Sequence, residues 1–304
     1  MPELPEVQTI VTDLQKILPG LKIGAVWTDW EKMFPARGGS AFGGKNSSLS
    51  FKNFKKEVIG EKILNVERKG KNILIHLSRD KTILVHQKMT GHFLYGNWNF
   101  ENKKWIGKND DPIRNDPQNR FIHLVFDLSN KKQLALSDLR KFAKVLLWPT
   151  DKLNELVDIN NLGPDPTAED FDFSKFKERL ANKKGKIKSV LMDQSVFAGI
   201  GNIYSDEILW LSGIHPMKPV SALTQEEMKT IFTSTKKILK KAIEARGTSD
   251  SDYRDPFGKK GGYQEMLYVY GLEGEKCQKK DGGIIARLKV ASRSAHFCPV
   301  HQKL

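Results

Sequence analysis

Met1-Pro2-Glu3-Leu4-Pro5-Glu6 opens the chain and runs directly into an amphipathic segment, Val7 to Leu18. Its apolar positions Val7, Ile10, Val11, Leu14, Ile17 and Leu18 recur at helical spacing, and Pro19-Gly20 stops it. Pro5 suits a first helical turn because its missing N–H would be unpaired there anyway. Glu3 and Glu6 suit the same end because a helix N-terminus favours negative charge. The stretch also has a chemical reading. Removal of Met1, which the small following residue favours, leaves Pro2 with a free secondary amine. An α-amine has a pKa of about 8 and a lysine about 10.4, so at neutral pH roughly a tenth of the former is unprotonated. It is the better nucleophile toward a carbon electrophile. Glu3, one residue away, is placed to move protons at the same centre. In the plainer reading the acids only match the helix dipole.

Working outward, Leu21 to Trp27 reads as a strand, and residues 36–50, rich in Gly, Ser and Lys, as a mobile loop. Short β-rich runs follow at Lys62–Arg68, Asn72–Leu77, Thr82–His86, Phe93–Tyr95, Arg120–Asp127, Gln133–Ser137 and Lys144–Trp148. Their spacing predicts an antiparallel sandwich or barrel with the first helix packed against it. Residues 96–119 read as too polar for strands and as a surface loop. From Pro149 the pattern changes, and Leu162-Gly163-Pro164-Asp165-Pro166 marks a linker. Helical periodicity then covers Phe171–Ala181, Ile187–Asp193, Asn202–Ser212 and Gln225–Ala245, followed by a Gly- and Lys-rich loop from Arg246 to Gly262. The last forty residues read as a β-hairpin unit. The expected fold is α+β and multidomain: a β-sandwich domain with an N-terminal helix (1–148), a linker (149–168), a helical domain (169–262) and a terminal hairpin (263–304). A cleft between the two halves is where a bound polymer would lie.

Composition narrows the partners. The 304 residues carry 50 Lys+Arg against 36 Asp+Glu, a formal charge of +14, and a protein this basic most often meets a polyanion, nucleic acid first. A hydrophobic content of 39% is enough for a core in each half. No apolar run approaches the roughly 20 residues of a membrane span. The start lacks a signal-peptide layout, so a cytosolic location is expected. Two cysteines, Cys277 and Cys298, exclude a disulfide framework.

Several smaller constellations carry chemistry. Lys71, in Glu67-Arg68-Lys69-Gly70-Lys71-Asn72, reads either as a solvated turn or as a second amine or phosphate contact near Pro2. Asp138-Leu139-Arg140-Lys141-Phe142 sets an aromatic beside cations, as a protein does when it fills the gap left by an extruded base. Met89 is a candidate of the same kind, and core packing is the alternative for both. Lys183-Lys184-Gly185-Lys186-Ile187-Lys188 precedes a short helix, and Gly199-Ile200-Gly201-Asn202 opens another with N–H groups suited to an anion. Cys277-x-x-Lys280 and Cys298-x-x-His301 have the spacing of a zinc-bound hairpin. Three ligands are in register there, Cys277, Cys298 and His301. His296 and Asp281 are the remaining donors, and neither stands at the expected place. Arg293 falls at the hairpin tip.

With these residues assembled, the chain resembles the formamidopyrimidine-DNA glycosylases, bacterial base-excision repair enzymes, over essentially its full length. The resemblance rests on Pro2-Glu3-Leu4-Pro5-Glu6, the Lys71 turn, Leu191 to Pro216 as a helix–two-turn–helix, Tyr268-Val269-Tyr270-Gly271, and Arg293-Ser294-Ala295-His296-Phe297-Cys298-Pro299. It implies a bifunctional glycosylase/AP lyase acting on 8-oxoguanine and formamidopyrimidines in double-stranded DNA. It implies Pro2 as nucleophile, Glu3 as proton donor, Lys71 in base release and β-elimination, and Glu6 in support. Met89, Arg140 and Phe142 match the void-filling triad, with Lys141, His123 and Lys184 as further DNA contacts. Asn202 and Arg293 match phosphate clamps, Arg293 also serving δ-elimination, and Gly247-Thr248-Ser249 to Tyr253 looks like a lesion-capping loop. Catalysis needs no cofactor, any zinc is structural, and a monomer is expected.

Two departures stand out. Lys280 and His301 replace cysteines of the family's zinc motif, which leaves either a zincless hairpin packed by apolar residues or a weaker three-ligand site, and Phe121 stands where the family has a DNA-contacting histidine. A sister class, similar to endonuclease VIII, removes oxidised pyrimidines; Leu4 and the Met89/Arg140/Phe142 set favour the purine enzymes. A lesion-binding protein without catalysis is the reading from a different class.

Overall fold

The computed structural model describes residues 1–34, 50–108 and 112–304. The loop expected at 36–50 therefore lies outside the described residues, apart from Ser50, whose side chain caps the following helix. The chain divides into two compact units, residues 1–160 with 246–262, and residues 161–245 with 263–304.

The first unit begins with α1 (Leu4–Ile17), three residues earlier than its apolar periodicity alone suggests. Glu3 is its N-cap and forms a capping box with Glu6, which accepts the Glu3 N–H at 2.8 Å. Next come β1 (Ile23–Thr28), α2 (Phe51–Val58), β2 (Ile63–Lys69), β3 (Asn72–Leu77), β4 (Lys81–His86) and β5 (His92–Gly96). After β6 (Trp98–Glu101), β7 (Lys104–Gly107) and the short α3 (Pro112–Asn115) run β8 (Ile122–Leu128), β9 (Gln133–Ser137), β10 (Lys144–Pro149) and the short α4 (Val157–Asn160). Two four-stranded antiparallel sheets result, ordered β1-β8-β9-β5 and β10-β4-β3-β2. Alternate residues of both, among them Ile73, Ile75, Leu124 and Phe126, meet in one core with Val7, Ile10 and Leu14 of α1. This is the expected sandwich.

Residues 96–119 differ from the expected surface loop. They hold the β6–β7 hairpin, turned by Asn102 and Lys103, both at positive φ (49° and 63°) as a type I′ turn requires. Trp98 is buried, and Trp27, Phe100 and Trp105 pack ring against ring at 5.1–5.5 Å. The aromatics outweigh the polar neighbours. The 149–168 stretch is likewise not one linker: residues to Asn160 belong to the first unit and those from Asn161 to the second.

The second unit contains α5 (Phe173–Ala181), α6 (Ile187–Met192), α7 (Asn202–Ser212), α8 (Gln225–Glu244) and the hairpin β11 (Ala286–Val290) and β12 (Arg293–Phe297). Residues 246–262, read from sequence as the end of the helical domain, fold with the first unit instead. Ion pairs hold them there, Arg246 with Asp13 and Arg254 with Asp116 at 2.7 Å, while Arg246 also pairs within the segment with Asp255 at 2.6 Å. Among the described residues no helix is long and apolar enough to cross a membrane.

Candidate active site and metal cluster

Pro2 and Glu3 are buried at the start of α1 while Met1 is exposed. Glu6, 1% exposed, joins this helix start to the 246–262 segment, accepting the Thr248 N–H at 2.7 Å. Gly247 makes that approach possible. Its φ is +80°, and a Cβ there would stand 2.8 Å from Glu6 Oε1. Lys71 sits in the two-residue turn between β2 and β3, after Gly70 at φ 58°. It is not a solvated turn: Lys71 is only 7% exposed. Arg68 ties the same turn to α1 through Gln8 (2.7 Å). His86, at the end of β4, escaped the sequence reading. Burial, then the neighbouring charges of Lys88 and Lys71, push its pKa down to about 3, which keeps the imidazole neutral.

The Met89 and Arg140–Phe142 loops are held together from beneath by Asp138, which is fully buried. Its carboxylate accepts from the Thr90 hydroxyl and, at 2.8 Å, from the Ala143 N–H; Thr90 Oγ1 in turn accepts from Arg140 N at 3.0 Å. Phe142 is 51% exposed, and the Arg140 guanidinium lies 4.6 Å from its ring centre. A cavity of about 610 Å³ opens between Met1, Trp30, Met89 and Phe142, rimmed by Lys32, Lys88, Lys141 and Lys144. The N-terminal residue, both apolar candidates and four ammonium groups thus share one space. His123 is the remaining candidate DNA contact of this unit. Its ring is mostly buried, with Nδ1 2.8 Å from Asp29, and Asp29 also meets Lys141 at 3.9 Å.

In the second unit, Asn202 is the first residue of α7, after the Gly199 turn that Gln194 fastens by accepting from Gly199 N and donating to Ile200 O. Lys184 is exposed beside Gly185. Lys188, from the same basic run, is buried and donates to Asp206 at 2.5 Å. Asp206 also accepts from the His296 N–H (3.0 Å), so α6, α7 and β12 share one buried carboxylate. The next residue, Glu207, accepts backbone N–H groups from Tyr268, Val269 and Tyr270. Burial still dominates and raises its pKa to about 7. Arg293 is exposed at the turn of the β11–β12 hairpin.

Cys277, Asp281, Cys298 and His301 converge, with all four ligand atoms within 4.8 Å of one another. Of the two reserve donors in the sequence, Asp281 is the one that joins the cluster, although motif spacing leaves it out of place. Lys280 adopts φ 54° and stays exposed, and this extra residue in the turn delivers Asp281 to the position of the fourth donor. His296, the other reserve, is engaged by Asp206. His301 Nδ1 faces the cluster, 2.6 Å from Asp281 Oδ2, while Nε2 lies 3.3 Å from the Trp210 carbonyl. Gly283 is required here, since a Cβ would fall 2.3 Å from Cys298 Sγ. The Gly283 N–H, with His301, holds the Asp281 carboxyl down at about 2. Two thiols, an imidazole and a carboxylate are a fitting donor set for a tetrahedral structural zinc.

Two family models match this chain, the formamidopyrimidine-DNA glycosylase N-terminal domain over residues 1–145 and the H2TH domain of the same enzymes over residues 162–253. The chain belongs to the formamidopyrimidine-DNA glycosylase family. Among its relatives, the formamidopyrimidine-DNA glycosylase of Pelotomaculum thermopropionicum is 38% identical and that of Lactiplantibacillus plantarum 34%, each over the whole of both chains. Solved structures agree. A Lactococcus lactis Fpg variant in complex with Fapy-dG-containing DNA is 33% identical over both full chains, with a TM-score of 0.83. The same enzyme with DNA containing an abasic site is 33% identical, covers 99% of this chain and all of that one, and has a TM-score of 0.82. Within this glycosylase framework, the cluster at Cys277–His301 lies beyond both matched domains.

Proposed function

We propose that this chain is a bifunctional DNA glycosylase/AP lyase that excises oxidised purines, 8-oxoguanine and formamidopyrimidines, from duplex DNA. The observation that carries the reading is the start of α1. Buried Pro2 and Glu3 lead into it, Glu3 as its N-cap, and Met1 just before them lines a cavity with Met89, Phe142 and four lysines. The formal charge of +14 and the relatives solved with lesion-bearing DNA point to the same polymer.

Once Met1 is removed, the Pro2 amine attacks C1′ of the damaged nucleoside and the bond from C1′ to the base breaks. Glu3 supplies the proton that opens the sugar ring. The resulting iminium draws electrons from the C2′–H bond, so the 3′ phosphate leaves, then the 5′ phosphate, and water releases the enzyme. Lys71 assists base departure and elimination, with Glu6 fixing Glu3. Met89, Arg140 and Phe142 fill the space of the flipped nucleotide, and flipping costs a few kcal/mol, least for damaged pairs. Lys141 and Lys184 add phosphate contacts, and His123 acts through Asp29. Asn202 and Arg293 clamp the flanking phosphates, and the 247–253 segment covers the lesion. Cys277, Asp281, Cys298 and His301 hold a structural zinc, with no part in bond breaking. The protein works as a monomer in the bacterial cytoplasm, where the chromosome lies.

Borohydride trapping tests this. Processed protein on an 8-oxoguanine:cytosine duplex should give a reduced cross-link at Pro2, and an added N-terminal residue should abolish strand cleavage. Pro2→Gly should retain some activity, because a primary α-amine remains. Unchanged cleavage with the terminus blocked would remove Pro2 as nucleophile. Tight lesion binding without any cross-link would mark a binding protein, and faster cleavage at thymine glycol would mark a pyrimidine enzyme.

A further inference from the structure

A second groove, of about 550 Å³, runs along the first unit between the β6–β7 hairpin and the start of β8. Lys103, Lys104 and Arg120 stand on its rim and are exposed; Trp105 and Phe121 form its wall. Neither Lys103, Lys104 nor Arg120 has an acidic partner among the described residues, and Arg120 instead lies 5.3 Å from the Phe121 ring centre. Among the described residues the one carboxylate lining the groove is Asp29, already engaged by His123 at 2.8 Å and Lys141 at 3.9 Å. Lys141 lines the cavity of the candidate active site, so the groove and the cavity meet at this ion pair.

We propose that the groove is an additional nucleic-acid contact that takes the sugar–phosphate backbone of the duplex flanking the lesion. The inference rests on the DNA-glycosylase reading and extends it to a surface outside the catalytic cavity. Exposed ammonium and guanidinium groups without an acidic partner among the described residues, as at Lys103, Lys104 and Arg120, suit a row of phosphates, each cation neutralising one. Aromatic walls suit the apolar faces of deoxyribose between them. Continuity through Asp29 and Lys141 supplies the path: a duplex with its lesion in the cavity passes the groove as it leaves. The contact is independent of sequence, as backbone positioning is.

The test uses the full chain and its Lys103→Ala/Lys104→Ala variant, with short and long duplexes carrying a tetrahydrofuran abasic analogue, titrated by fluorescence anisotropy across a salt series. The two lysines are exposed, so thermal unfolding should be unchanged. The variant should lower the slope of log K against log[salt] by about 1 to 2, near 0.9 for each phosphate left without its cation. Its affinity should fall about tenfold on the long duplex and little on one that barely covers the lesion. Equal slopes and affinities for wild type and variant would overturn the proposal. Borohydride trapping of the same proteins on a true abasic site separates this from the chemistry. A wild type that fails to trap sinks the Schiff-base reading, whereas the salt slopes judge the groove either way.

Discussion

Each unit carries one of its candidate cations on a two-residue hairpin turn, and the two hairpins are built on different physics. Lys71 follows Gly70 between β2 and β3, strands of a sandwich whose core runs through Val66, Ile73 and Ile75. Arg293 follows Ala291-Ser292 between β11 and β12, a two-stranded ribbon with no further strand to pair among the described residues. A lone hairpin is marginal in water, whereas a strand inside a packed sheet is not. The C-terminal ribbon is accordingly fastened by other means: the four-donor cluster, the His296–Asp206 contacts, and Gln302, which accepts from Cys298 N and donates to Ile214 O. Apolar burial supports one cation, and ligands and polar ties support the other.

Removing the cluster should therefore break the comparison most severely. With a zinc held there, as proposed, its chelation, or Cys298→Ala, is expected to cost several kcal/mol in the second unit. The corresponding transition should drop by about 10 °C or more. The first unit should melt where it did before. Metal analysis should show about one zinc per chain in the wild type and little in Cys298→Ala, and Asp281→Asn should hold it less tightly against a chelator. A single transition, unmoved by chelation, would mean the ribbon stands on its apolar contacts alone.

The same contrast explains what can be read from the chain. The strands of the sandwich and the helices of the second unit are legible to within a residue or two because alternation and helical spacing record burial directly: Asn72–Leu77, Gln133–Ser137 and Asn202–Ser212 agree with the sequence reading at both ends. The β6–β7 hairpin is not, since its turn is Asn102-Lys103 rather than Asn-Gly and its strands alternate Trp and Phe with polar residues. Asp281 escapes motif counting because counting assumes a fixed turn, and one left-handed residue, Lys280, shifts the register. The return of 246–262 to the first unit depends on Arg246 meeting Asp13, 233 residues away, and no local pattern carries that. Asp138 is overshadowed in its motif by the cations and the aromatic beside it, although it is the residue that sets their geometry.

A smaller effect comes from a pair of buried glutamates. Glu6 lies in the first turn of α1, where the helix end favours its charge, and accepts Thr248 N. Glu207 lies inside α7, away from that field, and its pKa is raised to about 7. A raised carboxylate binds a proton in the folded protein that the unfolded chain has already released between about pH 4.5 and 7. Stability from this group is thus full below about 4.5 and falls by about 3 kcal/mol as pH rises to 7. Glu207→Gln keeps an oxygen for the Tyr268–Tyr270 N–H groups and has no proton to lose. The difference in Tm between wild type and variant should shift in the variant's favour from pH 4.5 to 7 and level off above it. A constant difference would place Glu207 among ordinary carboxylates.

The smallest effect on the fold, and the sharpest on binding, is expected at Phe142. Half its surface is exposed and its neighbours are held by Asp138 beneath, so Phe142→Ala should change stability by no more than about 0.5 kcal/mol. On the proposed reading the ring occupies the space a flipped nucleotide leaves, and Arg140 rests against it at 4.6 Å. Stacking of an aromatic on a base is worth about 1–3 kcal/mol. Binding to an 8-oxoguanine duplex should therefore fall about tenfold or more, and binding to an abasic duplex, where no base has to be displaced, should fall less. Titrating both duplexes with wild type and variant at one salt concentration decides the point. Equal losses on the two would make Phe142 a general contact surface, and the purpose of the rigid Asp138–Thr90 support would then have to be sought in Arg140.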